Sequence, residues 1–179
     1  MVIALAGRRV DAPGADTARF PAANAGAVQA RIRELLMEQQ AQVLVCSAAC
    51  GADLLALEAA AGLGMRRRIV LPYKRTHFRD TSVVDRPGNW GERFDAMVET
   101  AAASGDLVVL GYTKADETSY LASNTAILAQ AVLLAEQLHQ TVGATVVWDG
   151  ATHGEDDITA AFLREAQHRG FPVWQVATL

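Results

Sequence analysis

The sequence predicts an α/β three-layer sandwich with a mostly parallel sheet, and three observations predict it. Short apolar, β-prone runs alternate with helical stretches along the whole chain, the order that a parallel sheet covered on both faces requires. The stretch Val43 to Glu58 reads as a four-residue strand, a turn of small residues and the start of an Ala/Leu-rich helix, which is half of a βαβ unit. The chain has 179 residues, 51% of them hydrophobic, enough for one full core and therefore one domain over 1–179.

Taken in order, Val2 to Ala6 forms the first buried strand and ends at Gly7-Arg8-Arg9. A loop rich in Pro, Gly and Asp follows from Asp11 to Pro21, long for a strand-to-helix connection. Asn24 is placed to cap a helix reaching about Gln40, with Val28, Ile32, Leu35 and Leu36 on one face. The central strand, Val43 to Cys46, is followed by a helix from Ala52 that stops at Gly62 and Gly64. A third strand runs from Ile69 to Pro72, preceded by Arg66-Arg67-Arg68, read as a solvated patch at the end away from the expected crevice. A basic and aromatic segment, Tyr73 to Arg79, leads into a polar loop. Asn89 and Glu92 then form a capping pair for a helix to Ala103. Leu107 to Leu110 is the fourth strand, Glu117 to Gln140 a long helix and Ala144 to Trp148 the fifth strand. Thr152 and Glu155 form a capping box for a last helix carrying Ile158, Phe162 and Ala166, before a final strand from Phe171 to Val176.

Composition narrows the function classes. A net charge of −4 gives no global pull toward nucleic acid or an anionic membrane. The two cysteines, Cys46 and Cys50, make neither a disulfide framework nor a zinc site and read as small packing residues. Met1 to Leu5 is too short for a signal peptide, and no apolar run reads as a membrane span, so a cytoplasmic protein is expected. The four histidines are scattered, and neither a metal nor a cofactor is expected.

In an open α/β sheet, ligands bind beyond the carboxyl ends of the strands. The residues just after each strand are therefore the candidates: Gly7, Arg8 and Asp11, with Arg19 closing that loop; Ser47, Gly51, Ala52 and Asp53; Lys74 and Arg79; Tyr112; and Asp149 and Gly150. Asn124 in the long helix joins them as a base-contacting candidate. Cations and helix N–H groups hold phosphate, carboxylates hold ribose hydroxyls, and aromatics stack on bases. Arg8 and the Gly51–Asp53 turn are the leading phosphate candidates, although Asp53 would serve equally well to cap its own helix. Glu58 and Asp53 are the candidates for a general base, should the protein be an enzyme.

Gly7-Arg8-Arg9 after the first strand, with Ser47-Ala48-Ala49-Cys50-Gly51-Ala52-Asp53 after the second, resembles the Rossmann-like SLOG superfamily. That superfamily includes the DNA-processing protein of natural transformation, the lonely-guy phosphoribohydrolases, molybdenum-cofactor carrier-like proteins and sensor domains for nucleotide-derived signals. Further segments, among them Arg19-Phe20-Pro21, Thr81-Ser82-Val83, Gly88 to Phe94 and Val147-Trp148-Asp149-Gly150, are similar to uncharacterised domains found with tetratricopeptide repeats or nucleotide cyclases. The resemblance implies a module that binds a nucleotide or nucleotide-derived signal. Its enzymatic branch implies an N-glycoside hydrolase instead, but the glycine-rich motif of the lonely-guy enzymes is missing from Leu110 to Glu117. A protein-interaction or single-stranded-DNA module is the third expectation, nucleic acid being disfavoured by the acidic balance. The resemblance also implies a homodimer, for which the helix from Glu117 is either the pairing surface or simply a core helix.

Overall fold

The computed structural model describes residues 1–154 and 156–179. Six parallel strands form one sheet: β1 Val2–Gly7, β2 Val43–Cys46, β3 Arg66–Tyr73, β4 Leu107–Tyr112, β5 Val142–Trp148 and β6 Val173–Ala177. Their order is β4-β3-β2-β1-β5-β6. The fold class is thus the one expected from sequence, a Rossmann-like α/β sandwich. The chain lays down β1 to β4 outward in one direction, then crosses back to place β5 on the other side of β1. The switch point lies between β1 and β5, where Leu5 pairs with Thr145 and Gly7 with Val147.

The period-two alternation of strand side chains divides the core. Ile3, Leu5, Leu44, Cys46, Ile69 and Leu71 point to one face, packed under α1 (Ala25–Glu38), α2 (Ala52–Gly62) and α4 (Trp90–Ala103). Val2, Ala4, Val43, Val45, Val70 and Val146 point to the other, under α5 (Glu117–Leu138) and α6 (Ile158–His168). By length and composition α5 could cross a membrane, against the sequence reading, with 44% of its most apolar window buried in the protein. Its residues Ile127, Leu128, Ala131 and Leu134 pack into the sheet core. Between β3 and β4 the register shifts at Pro72, which has no N–H to give to the ladder.

Several local expectations are corrected. The basic segment after β3 is a helix, α3 (Arg75–Ser82), anchored by buried Phe78 against Phe94. Asn24 and Asn89 stand at helix starts but cap nothing with their side chains; Asn24 Nδ2 donates instead to the Thr178 carbonyl. Arg66 and Arg68 are not a free solvated patch, because both bind Asp106 at the start of β4. Asp157 caps α6 through the Ala160 N–H, in place of the expected Thr152–Glu155 pair, whose Glu155 lies outside the described residues. A capping box that sequence reading passed over, Asp116 with Ser119, opens α5.

Candidate functional site

A cleft of about 730 Å³ lies at the carboxyl ends of the strands by the β1/β5 switch point, where this topology places ligands. Its walls come from five parts of the chain. The β1 end and the loop from Arg8 to Arg19 form one side, and Ser47, Ala49 and Asp53 lie at the β2 turn. Pro72, Phe78 and Ser82 come from β3 and α3, Tyr120, Ser123, Asn124 and Ile127 from α5, and His153, Asp156, Asp157, Ile158 and Thr159 from the segment entering α6.

Of the predicted residues, Gly7, Arg8, Asp11, Arg19, Ser47, Asp53 and Asn124 line this cleft. Glu58, Gly51, Ala52, Lys74, Arg79, Tyr112, Asp149 and Gly150 are not among its lining residues. The reasons differ. Glu58 stands on the face of α2 that meets α1 and α4, where it accepts from Gln29 at 2.8 Å and pairs with both Arg93 nitrogens at 2.6 Å. It is a brace between helices, and the expectation that it is a general base is withdrawn. Arg79 turns to Asp95 on α4, Lys74 is exposed, and Tyr112 sits exposed on the edge strand.

The Gly51–Ala52 turn is filled by the protein itself. The Ala52 N–H donates to the Arg8 carbonyl at 3.1 Å, and Arg9 bridges to Gly51. A Cβ on Gly51 would stand 2.7 Å from Val10 N and 2.8 Å from the Arg8 carbonyl oxygen, and one on Gly7 2.5 Å from the Ala52 Cβ. The glycines thus let two backbone turns touch, where the sequence reading had the Gly51–Asp53 turn holding a phosphate.

Arg8 is similarly redirected. Its Nε donates to Asp149 at 3.0 Å, Nη1 and Nη2 to the two Asp157 oxygens at 2.7 and 2.8 Å, and Nη2 also to the Ala151 carbonyl at 2.7 Å. Burial works against its charge, but the two aspartates outweigh that and hold its pKa above the usual value. Burial likewise disfavours the Asp157 carboxylate, yet Arg8 and the N–H groups of Ala160 and His153 win and keep its pKa below the ordinary range. With four of its five N–H directions used, Arg8 is a clamp that fixes the segment before α6, not a free phosphate ligand. Asp149, bound to Arg8 and to the His153 ring, belongs to the same clamp and is held below its usual pKa. Asp11 is also structural: it accepts from the N–H groups of Arg19 and Phe20 and closes its own loop.

Four predicted residues keep a group available to a ligand: Arg19, Asp53, Ser47 and Asn124. The Arg19 guanidinium, exposed at the cleft, makes no ion pair among the described residues. Asp53 is buried, accepts one hydrogen bond, from the Ala49 N–H at 3.1 Å, and likewise has no salt-bridge partner among the described residues. It does not cap its helix in the usual way, since Gly51 holds the N-cap position. Burial pushes its carboxyl up to about 7, only partly offset by Ala49 and Arg9. In the same cleft the hydroxyls of Ser47 and Ser123 are buried and without a partner among the described residues. Asn124 uses its Nδ2 on the Ile158 carbonyl at 2.8 Å, which leaves its Oδ1 for a ligand.

Sequence reading missed His153, whose Nε2 meets Asp149, and Arg9 and Arg86, which converge on Asp85 beside the cleft. It also missed the linked hydroxyls of Tyr73, Thr81 and Tyr120. An Asp three residues before Ala160 was the one available sign of the α6 cap. Among the described residues no group of three or more His, Cys, Asp or Glu is placed to hold a metal ion. No protein-family model and no curated protein matches the chain.

Proposed function

We propose that the protein binds a nucleotide or nucleotide-derived small molecule in this cleft. The observation that carries the reading is the cleft at the β1/β5 switch point, with a guanidinium at Arg19 and a buried carboxyl at Asp53 that have no ion-pair partner among the described residues. Pro72, Phe78 and Ile127 supply an apolar surface for a flat heterocycle, Ser47, Ser123 and Asn124 its polar contacts, and Arg19 a phosphate contact. The resemblance of the first two turns to the SLOG superfamily supports the same class of ligand. Thermal unfolding against nucleoside monophosphates, ADP-ribose, its cyclic forms and NAD tests it. A ligand at a hundredfold its Kd stabilises by ~2.7 kcal/mol, and Arg19→Ala weakens phosphorylated ligands selectively. No shift with any of them refutes the reading.

Asp53 also favours a second reading, N-glycoside hydrolysis. A cleft carboxyl titrating near neutrality suits general acid–base work, which Glu58 is too far removed and too firmly paired to perform. Release of free base, abolished by Asp53→Asn, would select hydrolase over pure binding.

A further inference from the structure

We propose that the Asp53 carboxyl, acting as a neutral acid, reads the amidine edge of the ligand's base: an amino group beside an unprotonated ring nitrogen, as adenine and cytosine carry. This deepens the nucleotide-binding reading and rests on it. The argument starts from what surrounds Asp53. The residue is only 7% exposed, yet it lines the cleft. One oxygen, Oδ2, accepts the Ala49 N–H, and no cation stands within ion-pair distance among the described residues.

A buried carboxylate without a counter-ion is costly, and the group relieves that cost by keeping its proton. The Ala49 N–H marks Oδ2 as the carbonyl-like oxygen, so the proton belongs on Oδ1. Such an acid offers a donor and an acceptor side by side. An amidine edge offers the complementary pair: its ring nitrogen accepts from Oδ1–H and its amino group donates to the second lone pair of Oδ2. A lactam edge held in the same pose, as in hypoxanthine, guanine or uracil, sets its N–H against the Oδ1 proton and its C=O against the Oδ2 lone pair, so both contacts are lost. A site built to hydrogen-bond one edge rejects the other strongly, because mismatched polar groups are left unpaired in a buried place.

The charged and titratable groups that act on Asp53 or share its cleft are Arg9 from the β1 side, Cys46 from β2, Arg8, Asp11, Asp16 and Arg19 from the β1 end and its loop, and Arg86, Tyr120, His153, Asp156 and Asp157 from the remaining walls. Comparison with a variant altered only at Asp53 separates its titration from theirs and from that of the ligand's phosphate.

The experiment is calorimetry with AMP against IMP and CMP against UMP, for the wild type and for Asp53→Asn, at pH 5.5 and pH 8.5. Each pair differs by amino to oxo at one carbon, with the neighbouring ring nitrogen changing in step. The expected result is at least tenfold tighter binding of the amino member at pH 5.5, lost by tenfold or more at pH 8.5 as Asp53 ionises. Asp53→Asn, whose amide offers the same donor and acceptor without ionising, keeps the amino preference and binds equally at both pH values once the phosphate contribution is matched. Equal binding of amino and oxo bases overturns the assignment of Asp53 while leaving a nucleotide site intact. A preference for IMP and UMP that grows with pH also overturns it, by showing an ionised carboxylate at work. Failure of all four nucleotides to bind refutes the nucleotide reading itself.

Discussion

Arg8 Nη1 lies 2.7 Å from Asp157 Oδ1 across 149 residues of sequence, with both side chains largely buried. The pair joins the end of β1 to the cap of α6, and Asp149 closes the group from the end of β5. It therefore fixes the two sides of the switch point against each other. Arg8→Ala leaves two carboxylates buried without their cation, and the expected loss is ~3–5 kcal/mol of stability by urea denaturation at pH 7. The pH dependence has a definite sign. Asp157 is depressed in the fold, so its contribution is present above the unfolded carboxylate value of ~3.9 and is lost as pH falls through the lowered folded value. The acid limb of the stability curve should flatten in Arg8→Ala; an unchanged limb would show that the clamp contributes nothing.

Asp53 works in the opposite direction. Its folded pKa is raised to about 7, so below ~pH 4 both folded and unfolded chains hold the proton and nothing is lost. Between ~4 and ~7 the unfolded chain releases its proton while the fold retains it, and stability falls by ~1.4 kcal/mol per unit, about 4 kcal/mol at most. Asp53→Asn cannot ionise and is expected to be more stable than the wild type by ~2–4 kcal/mol at pH 8 and equal to it near pH 4. Parallel stability curves for the two proteins would place Asp53 in a solvated setting and refute the burial argument.

The central strands were legible because they are apolar runs that a parallel sheet buries on both faces, whereas β3 starts three residues earlier than its apolar run, at Arg66, where Asp106 neutralises the arginines. The rim of the site followed from topology alone, which is why Ser47, Asp53 and Arg19 could be picked out. What escaped was everything set by distant partners. Arg8 reads locally as a free cation at a strand end, and only the fold brings Asp149 and Asp157 to it. Helix α3 escaped because its sequence, RTHFRDTS, buries only Phe78 and Ser82, too few positions to show a period. Gly51 was read as part of a phosphate-holding turn because nothing local reports that Arg8 and Val10 pack against it.

Glu58 shows the same limit and gives a third prediction. Six residues beyond Ala52 at 1.5 Å each carries it ~9 Å along α2, away from the strand ends. There it ties α1 and α4 together through Gln29 and Arg93, with Arg93 also stacked over Trp90 at 4.2 Å. Both charged side chains are about a fifth to a quarter exposed, so solvent screens the pair. Glu58→Gln is expected to lower stability by ~1–2 kcal/mol and to leave the affinity of any cleft ligand within twofold. A large loss of binding with unchanged stability would restore Glu58 to the site.

Gly51 gives the fourth. Its φ of +105° is a backbone conformation that side chains with a Cβ rarely adopt, and the added carbon would collide with two backbone atoms of the β1 loop. Backbone cannot swing aside as a flexible side chain can, so relief requires the Arg8–Val10 turn to lift off α2. That turn carries Arg8 into its clamp and Arg9 toward Asp85, and both contacts would shift with it. Gly51→Ala is accordingly expected to cost ~2–4 kcal/mol by urea denaturation, well above the loss from an exposed surface change. The double variant Gly51→Ala with Arg8→Ala should cost less than the two single losses together, because the first already loosens what the second removes. Simple additivity would show that the turn and the clamp are independent, and that the β1 loop is held over α2 by something other than the contact at Gly51.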